Sequence, residues 1–266
     1  MRWSHRRRRL MLITGGSGFL GQHLGIASEA EDWQLLAPPS TMIDVRNRER
    51  VLEQVRSWRP GAVVHLAYRK GDRRAIVEGS RNVAEAATAC GARLVHVSSD
   101  AIFPGRADPY REYDAPFSIT EYGVMKLEAE QAVQAECPGA VIVRTSLLYG
   151  TRRPAKIQLD VERAIVGLHP MTFFTDEYRC PAHAGDVAAA LSWLASRPEF
   201  HGPLNVAGPE AVSRAQMAVN FATWMGLDPN RLKTGSVSLS GSVRPARVVL
   251  DTTLAASHGL QCRSMA

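Results

Sequence analysis

Tyr122 and Lys126 stand four residues apart in Tyr-Gly-Val-Met-Lys. On a helix that spacing sets both side chains on one face, so a phenol and an ammonium can point into one cleft. A nearby cation stabilises phenolate and lowers a tyrosine pKa from about 10 towards working pH, which makes Tyr122 a usable general acid or base. The alternative reading is an exposed helix face. Lysine is scarce, occurring only at Lys70, Lys126, Lys156 and Lys233, which argues against coincidence. The run Val95-His96-Val97-Ser98-Ser99-Asp100 places hydroxyl side chains near its end, with Ser99 twenty-three residues before Tyr122. A strand that finishes this way at a ligand-binding rim can aim an O–H at a bound carbonyl, although Ser-Ser-Asp is also ordinary strand-to-loop chemistry.

A second pattern lies near the start of the chain. Ile13-Thr14-Gly15-Gly16-Ser17-Gly18-Phe19-Leu20-Gly21 follows the apolar run Leu10-Met11-Leu12-Ile13 and opens a predicted helix. Gly15 suits a tight strand-to-helix turn, Gly18 leaves room for a pyrophosphate against the backbone, and Gly21 lets the helix pack closely on the sheet. The helix N-terminus adds free N–H groups and the positive end of a dipole. Glycine triplets alone are often turns, but a strand before and a helix after make this one a dinucleotide site. Enzymes that use NAD usually grip the ribose 2′-OH with an acid after the second strand. Here that position holds Pro38-Pro39-Ser40-Thr41, with Arg46 and Arg48 near in sequence. NADP(H) is therefore favoured, with NAD as the alternative.

The elements that must position these groups alternate between short Val/Ile/Leu-rich runs and longer amphipathic segments, the pattern of a parallel sheet covered on both faces. Strands are predicted at Leu10–Thr14, Gln34–Ala37, Ala62–Ala67, Arg93–Ser98 and Ala140–Thr145, with helices at Phe19–Ser28, Asn47–Trp58, Ile76–Cys90 and Ile119–Glu136. Gly61, Gly91 and Pro138-Gly139 read as helix terminators. Beyond Gly150 the pattern loosens: helices are expected at Lys156–Gly167, Gly185–Ser196 and Arg214–Gly226, and a strand at Met171–Phe174. The expected fold is α/β, a Rossmann-type doubly wound parallel sheet with a small C-terminal substrate lobe. Residues 10–150 would form the dinucleotide-binding core, 151–266 the last sheet elements and the lobe, and 1–9 a basic, disordered leader.

Composition narrows the function classes. The 266 residues are 45% hydrophobic and 22% charged, ordinary for a globular enzyme, and long enough for an ample core. The net charge of +6 would suggest nucleic acid, but Arg2, Arg6, Arg7, Arg8 and Arg9 supply five of those units, leaving a nearly neutral body. No apolar run approaches the length of a membrane span, and the N-terminus lacks a secretory pattern. Cys90, Cys137, Cys180 and Cys262 are scattered and the histidines show no ligand spacing, so no metal is expected. The expected partner is a small-molecule substrate, with no nucleic acid and no membrane, and the expected location is the cytoplasm. A homodimer is left open.

From Leu10 to about Gly259 the chain resembles the extended short-chain dehydrogenase/reductase family, and within it the dTDP-4-dehydrorhamnose reductase-like branch. Thr14 to Gly21 matches that family's Thr-Gly-x-x-Gly-x-x-Gly. Ser98-Ser99-Asp100 with Phe103-Pro104-Gly105 is similar to the branch's Ser-Thr-Asp-Tyr-Val-Phe-x-Gly. Glu112, Asp114 and Pro116 precede Tyr122 as in the branch. Val143-Arg144-Thr145-Ser146, Tyr149-Gly150, Arg244-Pro245 and Leu250-Asp251-Thr252 extend the likeness. The resemblance implies hydride transfer to a keto nucleotide sugar. By position, Ser99 would hydrogen-bond the substrate carbonyl, Tyr122 would protonate it, and Lys126 would lower the Tyr122 pKa and hold the nicotinamide ribose. It also implies that Gly15, Ser17, Gly18, Phe19, Leu20, Gly21, Asp44, Val45, Leu66, Ala67 and Tyr68 line the cofactor.

The chain departs from the branch in places. Ile76 stands where the family's Asn-Val-x-Gly-Thr has asparagine, Ala101 replaces an aromatic residue, and Thr151–Pro181 matches least. Two further readings follow from the same scaffold: a nucleotide-sugar epimerase that retains its cofactor, and a non-catalytic NADP-binding regulatory subunit. A dehydratase is disfavoured, because Ala101 follows Asp100 where elimination needs an adjacent acid.

Overall fold

Strand β1 (Arg9–Thr14) buries Met11, Leu12, Ile13 and Thr14, as an apolar run covered on both faces must. In the computed structural model the described residues are 9–29, 31–151, 153–241 and 243–265. Of the expected basic leader, residues 1–8 lie outside them, and Arg9 is the first residue of β1, with its guanidinium 4.3 Å from the Trp33 ring centre.

Two compact units make up the chain and interleave along it, where the sequence reading places a single change near Gly150. Unit one comprises the described residues up to Val97, with Glu128–Ile142 and Ala188–Gly202. Unit two comprises Ser98–Leu127, Val143–Val187 and the described residues from Pro203 onward.

After β1 come α1 (Phe19–Glu29), β2 (Trp33–Leu36), α2 (Arg48–Trp58), β3 (Ala62–His65), α3 (Gly79–Cys90), β4 (Arg93–Ser99), α4 (Glu121–Glu136) and β5 (Val141–Thr145). These match the predicted strands and helices to within a few residues. The chain continues through β6 (Leu148–Tyr149), α5 (Lys156–Ile165), β7 (Thr172–Phe174), β8 (Tyr178–Arg179), β9 (Ala182–His183) and α6 (Ala184–Ala195). It ends with β10 (Gly202–Asn205), β11 (Val212–Ser213), α7 (Arg214–Trp224), β12 (Lys233–Gly235) and α8 (Thr253–Ser257).

Six strands form one sheet in the order β10-β5-β4-β3-β1-β2. The chain runs outward from β1 to β2, then crosses to β3 on the other side and continues to β4, all paired in parallel. The order therefore reverses between β1 and β3, the place where open α/β sheets leave a crevice at the strands' carboxyl ends. This is the expected Rossmann-type arrangement. Beneath it, Leu12, Val63 and Leu94 of the sheet pack with Val51 and Val55 of α2 and Val83, Ala84 and Ala87 of α3.

Two helix ends differ from the sequence reading. Asn47 is the N-cap of α2, its side chain accepting the Arg50 N–H, and not its first residue. At the other end the left-handed cap is Arg59 (φ 47°), two residues before the expected Gly61, and its N–H bonds the Val55 carbonyl. Gly91 does cap α3, at φ +65°. A π-helical turn, Arg74–Glu78, precedes α3 where one continuous helix was predicted.

Unit two has its own cores. Tyr149, Val161, Phe173 and Phe221 gather in one, and Ile102, Phe103, Tyr110, Val248 and Leu250 in another. Its remaining strands are short pairs, β11 with β8, β12 with β7 and β6 with β9. No described helix is long and apolar enough to cross a membrane.

Candidate functional site

The expected dinucleotide turn and Leu66, Ala67 and Tyr68 lie in unit one, at the carboxyl ends of β1 and β3. Gly15 takes φ +72°, and a Cβ there would stand 2.7 Å from the Ala67 nitrogen, so both conformation and space require glycine. The close approach has a cause: Leu66 N–H donates to the Thr14 carbonyl at 3.1 Å and Ala67 N–H to Thr14 Oγ1 at 3.5 Å. The structure thus brings Leu66 and Ala67 beside the glycine turn, with Tyr68 exposed next to them.

Gly18 N–H closes the turn on the Gly15 carbonyl at 3.0 Å. Ser17 and Gly18 are exposed, Phe19 is half-buried, and Leu20 is buried, so the Leu20 side chain belongs to the core. A Cβ on Gly21 would lie 2.5 Å from the Gly16 carbonyl oxygen. The close packing that needs Gly21 is therefore helix α1 on its own preceding turn, and not on the sheet as expected. The cradle fits a pyrophosphate: an exposed turn without side-chain bulk, at the start of an 11-residue helix.

Thr14 also meets a group the sequence reading missed. His65 Nδ1 is 2.6 Å from Thr14 Oγ1, and His65 Nε2 is 3.1 Å from Ser80 Oγ. Ser80 gives its own proton to the Ile76 carbonyl at 2.6 Å. Ser80 Oγ is then the acceptor from His65 Nε2–H, and Nδ1 accepts from Thr14. This buried relay ties the residue before Gly15 to the π-helical turn.

Asp44 and Val45 follow β2 and are held by different means. Asn82 of α3 donates to the Val45 carbonyl at 2.8 Å, and a Cβ on Gly79 would stand 2.7 Å from Val45 Cγ2. Asp44 pairs with Arg46 (2.7 Å), whose hydrogen bonds hold the Asp44 carboxyl below the usual aspartate value. Arg46 also reaches Asp72 at 3.2 Å, and Arg48 is held by Glu85, Nε to Oε2 at 2.7 Å. Both arginines counted towards NADP(H) in the sequence are thus committed to carboxylates. With Asn47, Glu49 and Arg74 they line an open recess of about 510 Å³ beside Asp44.

The residues expected to face a substrate carbonyl lie in unit two. Ser99 ends β4 and caps the 3-10 turn Asp100–Ile102, accepting the Ala101 N–H at 3.2 Å. Its hydroxyl donates to Asp100 Oδ1 at 3.2 Å, so the proton expected to point at a substrate is engaged. Asp100 is 6% exposed, and Ser146 donates to its Oδ2 at 2.6 Å. Burial pushes the Asp100 carboxyl above the usual range, against the opposing pull of Arg179 and the two hydroxyls.

Tyr122 and Lys126 sit on successive turns of α4, Tyr122 half-buried and Lys126 only 5% exposed. Thr120 Oγ1 accepts the Gly123 N–H at 3.1 Å and starts the helix. A Cβ on Gly123 would overlap the Ala101 carbonyl oxygen and Ser118 Oγ. Glycine inside the Tyr-Gly-x-x-Lys pattern therefore lets α4 touch the turn that follows Ser99, which sets Tyr122 beside it. Ser118 braces the contact by donating to the Ala101 carbonyl at 2.8 Å. Gly123 and Ser118 were overlooked in the sequence; a glycine in the first turn of a helix was the available signal.

Comparison with known proteins places nearly the whole chain among its relatives. The chain is similar to methionine adenosyltransferase 2 subunit beta of Bos taurus, 28% identical over 96% of this chain and 84% of the relative. It is also 29% identical to dTDP-4-dehydrorhamnose reductase of Mycolicibacterium smegmatis, over 96% of this chain and 84% of that one. Among solved structures, dTDP-4-dehydrorhamnose reductase from Bacillus anthracis in complex with NADP superposes with a TM-score of 0.87 at 25% identity, covering 97% and 96% of the two chains. The RmlD substrate binding domain matches residues 8–264, so nearly the whole chain is accounted for, and the protein belongs to the RmlD substrate binding domain family.

Proposed function

We propose that the protein binds NADP(H) at the Thr14–Gly21 turn and serves as the dinucleotide-binding subunit of a larger assembly. The observation that carries the dinucleotide reading is the cradle at Gly15, closed on Ala67 with no space for a side chain. The subunit role is supported by the likeness, over 96% of the chain, to a protein named as a subunit of methionine adenosyltransferase 2. The engagement of the Ser99 hydroxyl by Asp100 favours it too, since an ionised Asp100 competes with a carbonyl for the serine proton. The partner would be a methionine adenosyltransferase chain.

A second reading, a keto nucleotide-sugar reductase, is favoured by one observation: Tyr122 and the buried Lys126 share a face of α4. Bound NADPH would supply the hydride. Tyr122 would protonate the oxygen on which negative charge develops, Lys126 would hold the ribose and favour the phenolate left behind, and Ser99 would hydrogen-bond the same oxygen. Retained NAD in the purified protein would instead mark the epimerase.

Calorimetry with NADPH, a screen of keto nucleotide sugars followed by nicotinamide absorbance, and co-purification with a methionine adenosyltransferase chain separate the readings. NADPH binding with co-purification and no oxidation supports the subunit. Oxidation with any keto sugar supports the reductase, and loss of NADPH binding overturns both.

A further inference from the structure

We propose that His65 is a positioning residue of the dinucleotide site: its neutral ring, with the proton on Nε2, couples the glycine turn after β1 to the segments that follow β2 and β3. The inference rests on the dinucleotide reading of the Thr14–Gly21 turn and names what holds that turn in place.

Strand register brings the groups together. His65 ends β3 opposite Thr14 of β1 on one side and His96 of β4 on the other. Partners at one register of a parallel sheet point to the same face. Thr14 Oγ1 therefore lies 2.6 Å from His65 Nδ1, and the His96 ring stacks at 5.3 Å, inclined by 30°. Thr14, His65 and His96 are each 1% exposed and Ser80 is 2% exposed. A charged ring in this place would be desolvated beside a second imidazole, so burial disfavours it.

The hydrogen bonds fix the tautomer. The Ile76 carbonyl can only accept, so the Ser80 hydroxyl gives it its proton, at 2.6 Å. Ser80 Oγ is left to accept from Nε2–H at 3.1 Å, and Nδ1 accepts from Thr14. With the proton on Nδ1 instead, Nε2 and Ser80 Oγ would meet as two acceptors. Having given up its own proton, Thr14 Oγ1 presents lone pairs to the Ala67 N–H at 3.5 Å.

The two ends of this relay belong to different parts of the site. Thr14 holds Leu66 and Ala67 against Gly15, where a Cβ would stand 2.7 Å from the Ala67 nitrogen. Ser80 lies in the first turn of α3, directly after the π-helical turn Arg74–Glu78. Asp72 anchors that turn by accepting the Ala75 N–H at 3.0 Å, and it pairs at 3.2 Å with Arg46, the arginine that holds Asp44. Asn82, further along α3, donates to the Val45 carbonyl. Such π-helical turns are rare and recur at functional sites. Here the turn is tied to Asp44 and Val45 on one side and, through His65, to the glycine turn on the other.

The test is a mutant cycle on the full-length protein. Thr14→Val and Ser80→Ala each break one end of the relay. NADPH affinity by calorimetry is expected to fall about tenfold in either, the scale of one lost buried hydrogen bond. The double variant is expected to bind no more weakly than the poorer single one, because the same connection is broken twice. In His65→Asn, Oδ1 replaces Nδ1 as the acceptor for Thr14 but nothing reaches Ser80. This variant is expected to bind as Ser80→Ala does, and adding Ser80→Ala to it is expected to change nothing. Losses that multiply in the double variant mark independent structural contacts and overturn the proposal, as does undiminished affinity in the single ones. A wild type that binds no NADPH overturns the dinucleotide reading and the positioning role together, whereas binding with multiplied losses overturns the positioning role alone. Nitrogen NMR of the imidazoles, with the His65 signals identified by their loss in His65→Asn, tests the relay without cofactor. Nε2 is expected to be protonated and Nδ1 bare at neutral pH. A proton on Nδ1 in the wild type overturns the proposal, and this readout stands should Thr14→Val or Ser80→Ala fail to fold.

Discussion

Ser99 Oγ lies 3.2 Å from Asp100 Oδ1 and gives that carboxylate its proton while accepting the Ala101 N–H. A serine so placed can donate to a substrate oxygen only if its proton swings away from Asp100, or if Asp100 carries a proton of its own and donates to Ser99. The state of one buried carboxyl therefore decides what Ser99 can do.

The pH dependence of Asp100 follows from burial, which raises its folded-state pKa above the ordinary value of 3.8. The folded protein thus disfavours the ionised form more than the unfolded chain does. The stabilising contribution is fully present below the unfolded value and is lost as pH rises through the folded one. Asp100→Asn is expected to melt no lower than wild type at about pH 8, with the difference turning against the variant as pH falls towards about 4. Melting curves across that range check it. A loss of stability in the variant that grows as pH rises would overturn this reading and show that the ionised carboxyl is held favourably by Ser146 and Arg179.

Gly123→Ala tests how α4 is seated. The added methyl would overlap the Ala101 carbonyl and Ser118 Oγ, and backbone cannot give way as a flexible side chain does. Overpacking of this kind costs roughly 1–3 kcal/mol. Urea unfolding is expected to show a loss on that scale, and a stability equal to wild type would mean that the helix start shifts freely.

Gly18→Val places a branched side chain on the exposed tip of the dinucleotide turn, where even a Cβ would sit 3.1 Å from the Gly15 carbonyl. NADPH binding is expected to disappear while the circular dichroism spectrum and melting temperature stay near wild type. Unchanged affinity by calorimetry would remove the dinucleotide reading.

Tyr122→Phe keeps the ring and removes the proton. NADPH binding is expected to survive. If a keto sugar is reduced by the wild type, turnover is expected to fall by about a hundredfold or more, the scale of a lost general acid. Co-purification with a partner is expected to be indifferent to the change. Lys126→Met is expected to weaken NADPH binding as well as turnover. Equal turnover in wild type and Tyr122→Phe would eliminate the acid role.

The sequence determined what is written in contiguous residues. Apolar runs of strand length and amphipathic segments between them set β1 to β5 and α1 to α4, because local periodicity and burial on both faces leave few alternatives. The turn at Gly15 and the shared helical face of Tyr122 and Lys126 were legible for the same reason: a spacing of a few residues fixes them. Tertiary structure alone decided the pairings across long stretches of chain. Ser146, 46 residues from Asp100, donates to it and helps to bury it, and Glu85 and Asp72 take up Arg48 and Arg46. The two-residue strands of unit two are too short to carry a periodic signal.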